Sequence, residues 1–561
     1  MTHFRTDFPV AAFRRACRLF FFCCFLPAHV AFANLALANV AATQNSLPSF
    51  AELESAGAVI GQIQIKPHNI FDLTDKAENN VLYRLVNRLH VPTHAEVIAK
   101  VLLFKSGQRV SLQKINETER LLRASSIRYD VDITPVAYKD GVVDIEVSTR
   151  DAWSLDFTGT YSRSGGNNKT AFGLKERNLF GTGIAVGYTR TSDLDRKGSE
   201  LNVSYAQAFD GWTSIAFERG RFNDGKRTAF SVDRPFYSLD TRFAARSAWS
   251  DEDRIDSIYN AGDIVSEYHH RIKSAEFSGG WSPGLVNGWT KRYSAGSLIQ
   301  DNTYHPEPGK MAPVPLPIDN DLRALFMRVE LVEDGFLKVK NYNLIERAEF
   351  LVVGFNARAQ LTKSLAALGS SRSDWLFAAS VHDGYVFSSN HIVQAGATVE
   401  RRISSTGQPM TQATASFKYY APQARRSLLY ASLSADRISG GGIADQLMIG
   451  GIYGLRGYPS RYQAGEQRML LSIEKRAFTT WYPFRLLRIG GAVFFDAGRA
   501  WGGLNQNTIN GGTLSDVGMG LRIALDRAAF ANVLHADIAV PLNRAPGVKP
   551  VQFLVKTEYS F

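Results

Sequence analysis

Residues 151–561 alternate apolar and polar side chains in strand after strand, with no convincing amphipathic helix between them. Trp153, Leu155, Phe157 and Tyr161 share one face, while Ser154, Asp156, Thr158, Thr160 and Ser162 share the other. Further on, Leu534, Ala536, Ile538, Val540 and Leu542 oppose His535 and Asp537. At the end, Val551, Phe553, Val555, Tyr559 and Phe561 oppose Gln552, Lys556, Glu558 and Ser560. A period of two marks a strand with unlike faces. Asp210-Gly211 and Asn223-Asp224-Gly225 supply turns between such strands. A soluble sandwich also alternates. Here the apolar faces run about 9–11 residues, the length of a tilted membrane crossing, and aromatics gather at strand ends. At roughly 25 residues per strand plus turn, the region holds about 16 strands, an even number as in bacterial barrels. Closure leaves no unpaired backbone edge in lipid. The expected fold is mostly β: a transmembrane antiparallel β-barrel over residues 151–561, behind one small N-terminal α/β domain.

The first 38 residues read as a signal peptide. Arg14 to Arg18 form a basic stretch, Leu19 to Leu26 an apolar core, and cleavage falls after Ala33 or Ala38. Pro27, His29, Asn34 and Asn39 interrupt the apolar run, which disfavours a retained anchor. All three cysteines, Cys17, Cys23 and Cys24, leave with it, so thiolate metal sites and disulfides are excluded from the remainder. After this segment no apolar run approaches the roughly 18–20 residues of a spanning helix. The formal charge of +11 is partly carried by Arg5, Arg14, Arg15 and Arg18 of the signal. The rest is a modest basic excess without a compact Lys/Arg run. It fits a barrel beside anionic headgroups and argues against nucleic acid.

Residues 39–56 read as a mobile lead-in and 57–150 as a mixed domain of order β-α-α-β-β. Val59 to Ile65 forms a strand, Thr93 to Leu103 a helix, and Ser111 caps a second helix to about Ala124. Tyr129 to Ile133 and Val142 to Val147 are strands joined through Lys139-Asp140-Gly141, a strong hairpin signal. Segment 66–92 is an insertion, helical around Val81 to Leu89.

These pieces resemble the outer-membrane barrel-assembly superfamily, the bacterial surface antigen family of BamA- and TamA-like proteins and two-partner secretion transporters. The N-terminal unit looks like one POTRA domain, its pattern clearest from Leu102-Leu-Phe-Lys-Ser-Gly107 to Val147. Glu176-Arg-Asn-Leu-Phe-Gly-Thr-Gly183 and Arg234-Pro-Phe-Tyr-Ser-Leu-Asp240 match segments early in such barrels. Leu455-Arg456-Gly457-Tyr458 matches the hallmark loop, Phe494-Phe-Asp496-Ala-Gly498 its partner strand, and Tyr559 with Phe561 the terminal strand signal. The departures are a single POTRA unit, the 66–92 insertion and a last strand without a kinking glycine.

The resemblance implies that the Arg456 loop re-enters the barrel lumen. Parity supplies a check from the residues themselves. Met469, Leu471 and Ile473 take the lipid face, so Ser472 and Glu474 face inward. Val493 and Phe495 go outward and Asp496 inward. A guanidinium can engage both carboxylates with charge-assisted bonds. The alternative is one more solvated lumen charge, worth little. Enzymatic motifs fail: Gly220 to Lys226 has phosphate-loop spacing, but Arg227 stands at the Ser/Thr position. Gly280-Trp-Ser282-Pro-Gly284 has nucleophile-elbow spacing, but Pro283 lacks the N–H that an oxyanion hole needs. Pro92 separates His90 from His94.

No catalysis, cofactor or metal is therefore expected. The resemblance implies insertion or translocation of polypeptides at the outer membrane, with the POTRA-like domain in the periplasm and room there for a partner. The alternatives are a dedicated transporter for one exoprotein, or a passive channel or structural barrel with a docking domain.

Overall fold

The computed structural model describes residues 47–561, apart from 126, 165–166, 193–195, 261–262, 388–389, 405–407, 425, 443–444, 504–511, 529–531, 544–546 and 560–561. The expected signal peptide and Phe561 lie outside the described residues.

The N-terminal domain runs α1 (Phe50–Ser55), β1 (Val59–His68), α2 (Val81–Leu89), α3 (Ala95–Ala99), α4 (Leu112–Ala124), β2 (Arg128–Lys139) and β3 (Val142–Asp151). β3 is central, parallel to β1 and antiparallel to β2. Asp140 and Gly141 both have positive φ, 51° and 79°, the requirement of a type I′ hairpin. Ser111 caps α4 by accepting from the Lys114 N–H. The core joins Leu53, Ile60, Ile98, Phe104, Ile115, Leu122, Val143 and Ile145, each such side chain contributing about 1.5–3 kcal/mol by burial. Two expectations change. Part of the lead-in is ordered: Ser49 and Glu52 close a capping box on α1, and Leu53 enters the core. The helix expected over Thr93 to Leu103 is limited to α3. Thr93 is held by Asp151 through its N–H and hydroxyl, and the Leu103 N–H goes to the Thr118 hydroxyl.

The remaining strands are β4 (Leu155–Ser164), β5 (Asn167–Leu179), β6 (Ile184–Ser192), β7 (Lys197–Ala208), β8 (Thr213–Phe222), β9 (Gly225–Arg234), β10 (Phe243–Asn260), β11 (Asp263–Trp281), β12 (Leu285–Val286), β13 (Trp289–Pro306) and β14 (Asn320–Glu333). They continue as β15 (Phe336–Lys340), β16 (Ala348–Val352), β17 (Asn356–Ser364), β18 (Trp375–Val386), β19 (Ile392–Ile403), β20 (Met410–Ala424), β21 (Ser427–Ser439), β22 (Leu447–Ile449) and β23 (Gln463–Gly465). The last are β24 (Gln467–Phe478), β25 (Leu487–Trp501), β26 (Leu514–Leu525), β27 (Asn532–Pro541) and β28 (Gln552–Tyr559). All but β15, β16, β22 and β23 form one antiparallel sheet in chain order. It returns on itself as a barrel where Val555 of β28 meets Arg163 of β4. Among the described residues the barrel order contains twenty strands beside the two-residue β12, against the expected 16 or so. The spacing assumed per strand was too long, because connections such as 223–224 and 180–183 are very short.

The outer face exposes Met327, Met469, Val493, Met519, Leu521 and Phe553, as a lipid-facing belt does. The N-terminal domain sits against one rim, called here the near end. The two early sequence motifs form that joint. In the β5–β6 turn, Asn178 donates to Thr93 Oγ1 at 2.8 Å, accepts from the Gly183 N–H, and leaves Gly181 O to accept from the His94 N–H. In the turn after β9, the Leu239 N–H donates to Glu117 at 2.9 Å. Burial raises the Glu117 carboxyl above the usual range. Across the rim, Arg527 pairs with Glu78 and Lys338 with Glu119, both at 2.6 Å.

Candidate functional site: a lumenal arginine cluster

The β21–β24 connection, residues 440–466, starts at the far end and folds back inside the barrel. β22 and β23 pair at its base. Leu455 is wholly buried at φ 62°, a conformation costing on the order of 1–3 kcal/mol for a residue with a Cβ. Leu455, Tyr458, Tyr462 and Ile449 pack with Ala500 and Leu514 of the wall. Gly457 is required by proximity: an added Cβ would lie 2.6 Å from that of Asp516, whose carboxylate accepts the Gly457 N–H at 3.0 Å. Gly498 is constrained similarly, its missing Cβ 2.6 Å from Ile449 Cδ1. The Tyr458 hydroxyl lies 3.0 Å from Ser515 O and 3.1 Å from Asn543 O.

This packing delivers Arg456 to the inward face of β24–β27. Its Nε and Nη2 grip Asp496 as a fork, at 2.7 and 2.8 Å. Nη1 reaches Glu474 at 2.7 Å and Asp537 at 3.3 Å, and Nη2 also reaches Ser472 at 3.2 Å. These five contacts match the five N–H donors of a guanidinium. The guanidinium carbon lies over the Phe494 ring, 3.3 Å from its centroid. Arg456 is 5% exposed. Two more cations join the cluster. Arg476 donates to Glu474 at 2.8 Å, and Arg522 lies against both Glu474 and Asp537. Glu474, Asp496 and Asp537 thus each meet a guanidinium, the condition under which charges tolerate burial, while the neighbouring buried Asp516 takes the Gly457 N–H instead.

The structure brings Arg456, Glu474 and Asp496 together, with Leu455, Gly457, Tyr458, Phe494 and Gly498 around them. Tyr559 ends β28, far along the chain from the cluster, its backbone paired with Asn532. Sequence reasoning left Asp537, Asp516, Arg476 and Arg522 unassigned. Parity carried part of the signal, since Asp537 opposes Ile538 and Arg522 alternates with Met519 and Leu521.

A second segment enters from the near end. β15 and β16 form a hairpin between β14 and β17. Glu349 accepts the N–H groups of Tyr342, Asn343 and Leu344, fixing the hairpin's tip. Tyr342, Leu344 and Ile345 then pack on Ile392, Tyr420, Leu428 and Phe478 of the wall. The two segments share a joint: Arg476 donates to Tyr342 O at 2.9 Å and to Glu474, which holds Arg456.

The enzymatic motifs lead elsewhere. Gly220 to Lys226 spans the β8–β9 hairpin. Ser282 is buried in a turn, its Oγ accepting the Gly284 N–H. His90 pairs with Asp151, while His94 precedes α3.

Among solved structures, CdiB from Escherichia coli is similar at 12% identity and TM-score 0.47, covering 90% of this chain and 76% of that one. BamA from Haemophilus ducreyi lacking POTRA domains 1–3 is similar at 12% identity and TM-score 0.37, covering 89% and 85%. The FrpB iron transporter from Neisseria meningitidis is similar at 8% identity and TM-score 0.38, covering 76% and 86%. No family model and no curated protein matches the chain.

Proposed function

We propose that this chain is a non-enzymatic outer-membrane protein, built from a periplasmic POTRA-like domain and a barrel, that inserts or translocates other polypeptides. The observation that carries the reading is the joint between two inserted segments. A loop from the far end and a hairpin from the near end pack on inner-wall residues, and both fasten to the Glu474–Arg476 pair. A passive pore gains nothing from two segments tied together on its inner wall, whereas a conduit for unfolded chains needs parts that can hold and release. The domain's sheet ends in edge strands β1 and β2; β1 is already met at Ile60 by Gly107 and Gln108, so β2 is the edge an extended substrate could extend by strand addition. With no nucleotide at this membrane, the free energy comes from the substrate's own folding or insertion.

Quantitative proteomics of the outer membrane and the medium in a deletion strain tests this. Depletion of outer-membrane proteins, restored by the wild type and not by Arg456→Ala, supports insertion. Loss of a single exoprotein from the medium assigns dedicated secretion. Unchanged proteomes together with a steady open conductance would refute polypeptide handling.

A further inference from the structure

We infer that α2, in the 66–92 insertion, is an in-plane membrane anchor, laid on the phospholipid leaflet that surrounds the near end of the barrel. The inference rests on reading the barrel as membrane-embedded.

The helix has two apolar sides, and only one is used within the protein. Tyr83 is buried and stacks on Phe71, with ring centroids 4.1 Å apart. Together with Ile70 they pack against Leu73, Val86, Trp153 and Leu486. Val81, Leu82, Leu85 and Leu89 are instead 75, 57, 50 and 66% exposed. At 100° per residue these four fall within one arc of about 100°. An exposed apolar stripe of this kind is rarely left to water.

Three observations identify the occupant as lipid. The first is position. The Tyr83 hydroxyl bonds Phe484 O, and Arg485 pairs with Asp75 at 2.9 Å, so the helix is fastened to the rim turn between β24 and β25. The second is continuity. That turn exposes Trp481 and Phe484, and Leu525 and Leu521 of the outer belt are exposed on β26, the strand beside β25. Phe180, Phe209, Phe243 and Trp281 are likewise exposed at near-end strand termini. This is the placement of an interfacial aromatic girdle. The third is charge. Arg84 and Arg88 border the stripe, and the helix carries no acidic residue. With Arg150 and His68 they line a shallow pocket on its flank, which also contains Asp72. Cations beside an apolar stripe fit phosphate headgroups over acyl chains.

The test uses the protein without residues 1–38, reconstituted in phosphatidylethanolamine/phosphatidylglycerol vesicles. The three native cysteines all lie within residues 1–38, so the processed chain accepts single reporters. Leu85→Cys, Met519→Cys and Lys139→Cys are each labelled with an environment-sensitive fluorophore. Met519 reports the outer belt, and Lys139 an edge of the N-terminal sheet. The expected result is blue-shifted emission from position 85, quenching by brominated lipid, and several-fold weaker quenching by iodide than at position 139. Iodide access at 85 equal to that at 139, with 519 lipid-shielded, overturns the anchor and leaves the barrel reading intact. Shielding of 85 only after periplasmic extract is added also overturns it, in favour of a protein partner. Lipid shielding absent at 519 as well would overturn the membrane reading beneath it.

Discussion

The two segments that enter the lumen differ in one element of their chemistry. The far-end loop adds to its apolar packing a guanidinium that contacts three carboxylates and an aromatic face. The near-end hairpin arrives with Tyr342, Leu344 and Ile345 and packs on apolar wall residues. Apolar contact is non-directional and yields gradually when trimmed. A buried charge network is all-or-none, because removing one partner strands the others. On the proposed reading the loop acts as a latch and the hairpin as a plug. Arg476 couples them by donating to the backbone of one and to a carboxylate that holds the other.

The largest effect should come from Arg456→Ala. It leaves Glu474, Asp496 and Asp537 short of a counter-charge at a cost of about 3–5 kcal/mol, read as a lower unfolding temperature of the folded barrel on heat-modifiability gels. Arg461→Ala is the matched control, because Arg461 faces the rings of Tyr259 and Tyr453. Equal losses from the two would erase the distinction between latch and ordinary lumen arginine. Next is Leu344→Ala, which should weaken the plug by about 2 kcal/mol through lost burial. Its signature is easier near-end access of a small thiol reagent to the lumen, with the far-end loop still protected. A loop released by this change would mean that the two segments form one unit. Smaller again is the coupling. A double-mutant cycle between Arg456→Ala and Leu344→Ala should show about 1 kcal/mol of interaction, disappearing in an Arg476→Met background. Interaction that persists there would place the joint elsewhere.

The smallest effect concerns docking of the N-terminal domain. Burial raises the Glu117 carboxyl above its ordinary value. The folded protein therefore binds the proton more tightly than the unfolded chain, while the Leu239 N–H across the joint opposes that shift. The contribution of Glu117 to stability is fully present below the ordinary carboxylate pKa and is lost as pH rises through the raised one. Glu117→Gln keeps an acceptor for the Leu239 N–H and should flatten that dependence. Hydrogen exchange of residues 112–124 between pH 4 and pH 8, as a rough carboxylate window, reads it. An unchanged profile would remove Glu117 from the joint.

Much of this arrangement was legible in the sequence because strand pitch is rigid. Once Met469 and Ile473 are placed outward, Glu474 has no choice but to face the lumen, and Asp496 follows from Val493 in the same way. Asp537 and Arg522 obey the same parity, yet nothing local ties β26 and β27 to the Arg456 loop, since register across neighbours is a long-range property. The strand number was misjudged because turn length leaves a weaker trace than strand parity. The plug was not legible at all. Tyr342, Leu344 and Ile345 carry no local signal that sets them apart, and only the fold brings them against Ile392, Tyr420, Leu428 and Phe478. The early motifs around Asn178 and Leu239 were visible as patterns, while their work, docking the N-terminal domain, depends on Thr93 and Glu117 far away in sequence.

The most direct test is a paired conductance measurement in planar bilayers on the wild type and Arg456→Ala. A latch that holds the loop in the lumen predicts small or rare openings for the wild type and large, sustained ones for the variant. Indistinguishable conductance, with both proteins folded, would contradict it.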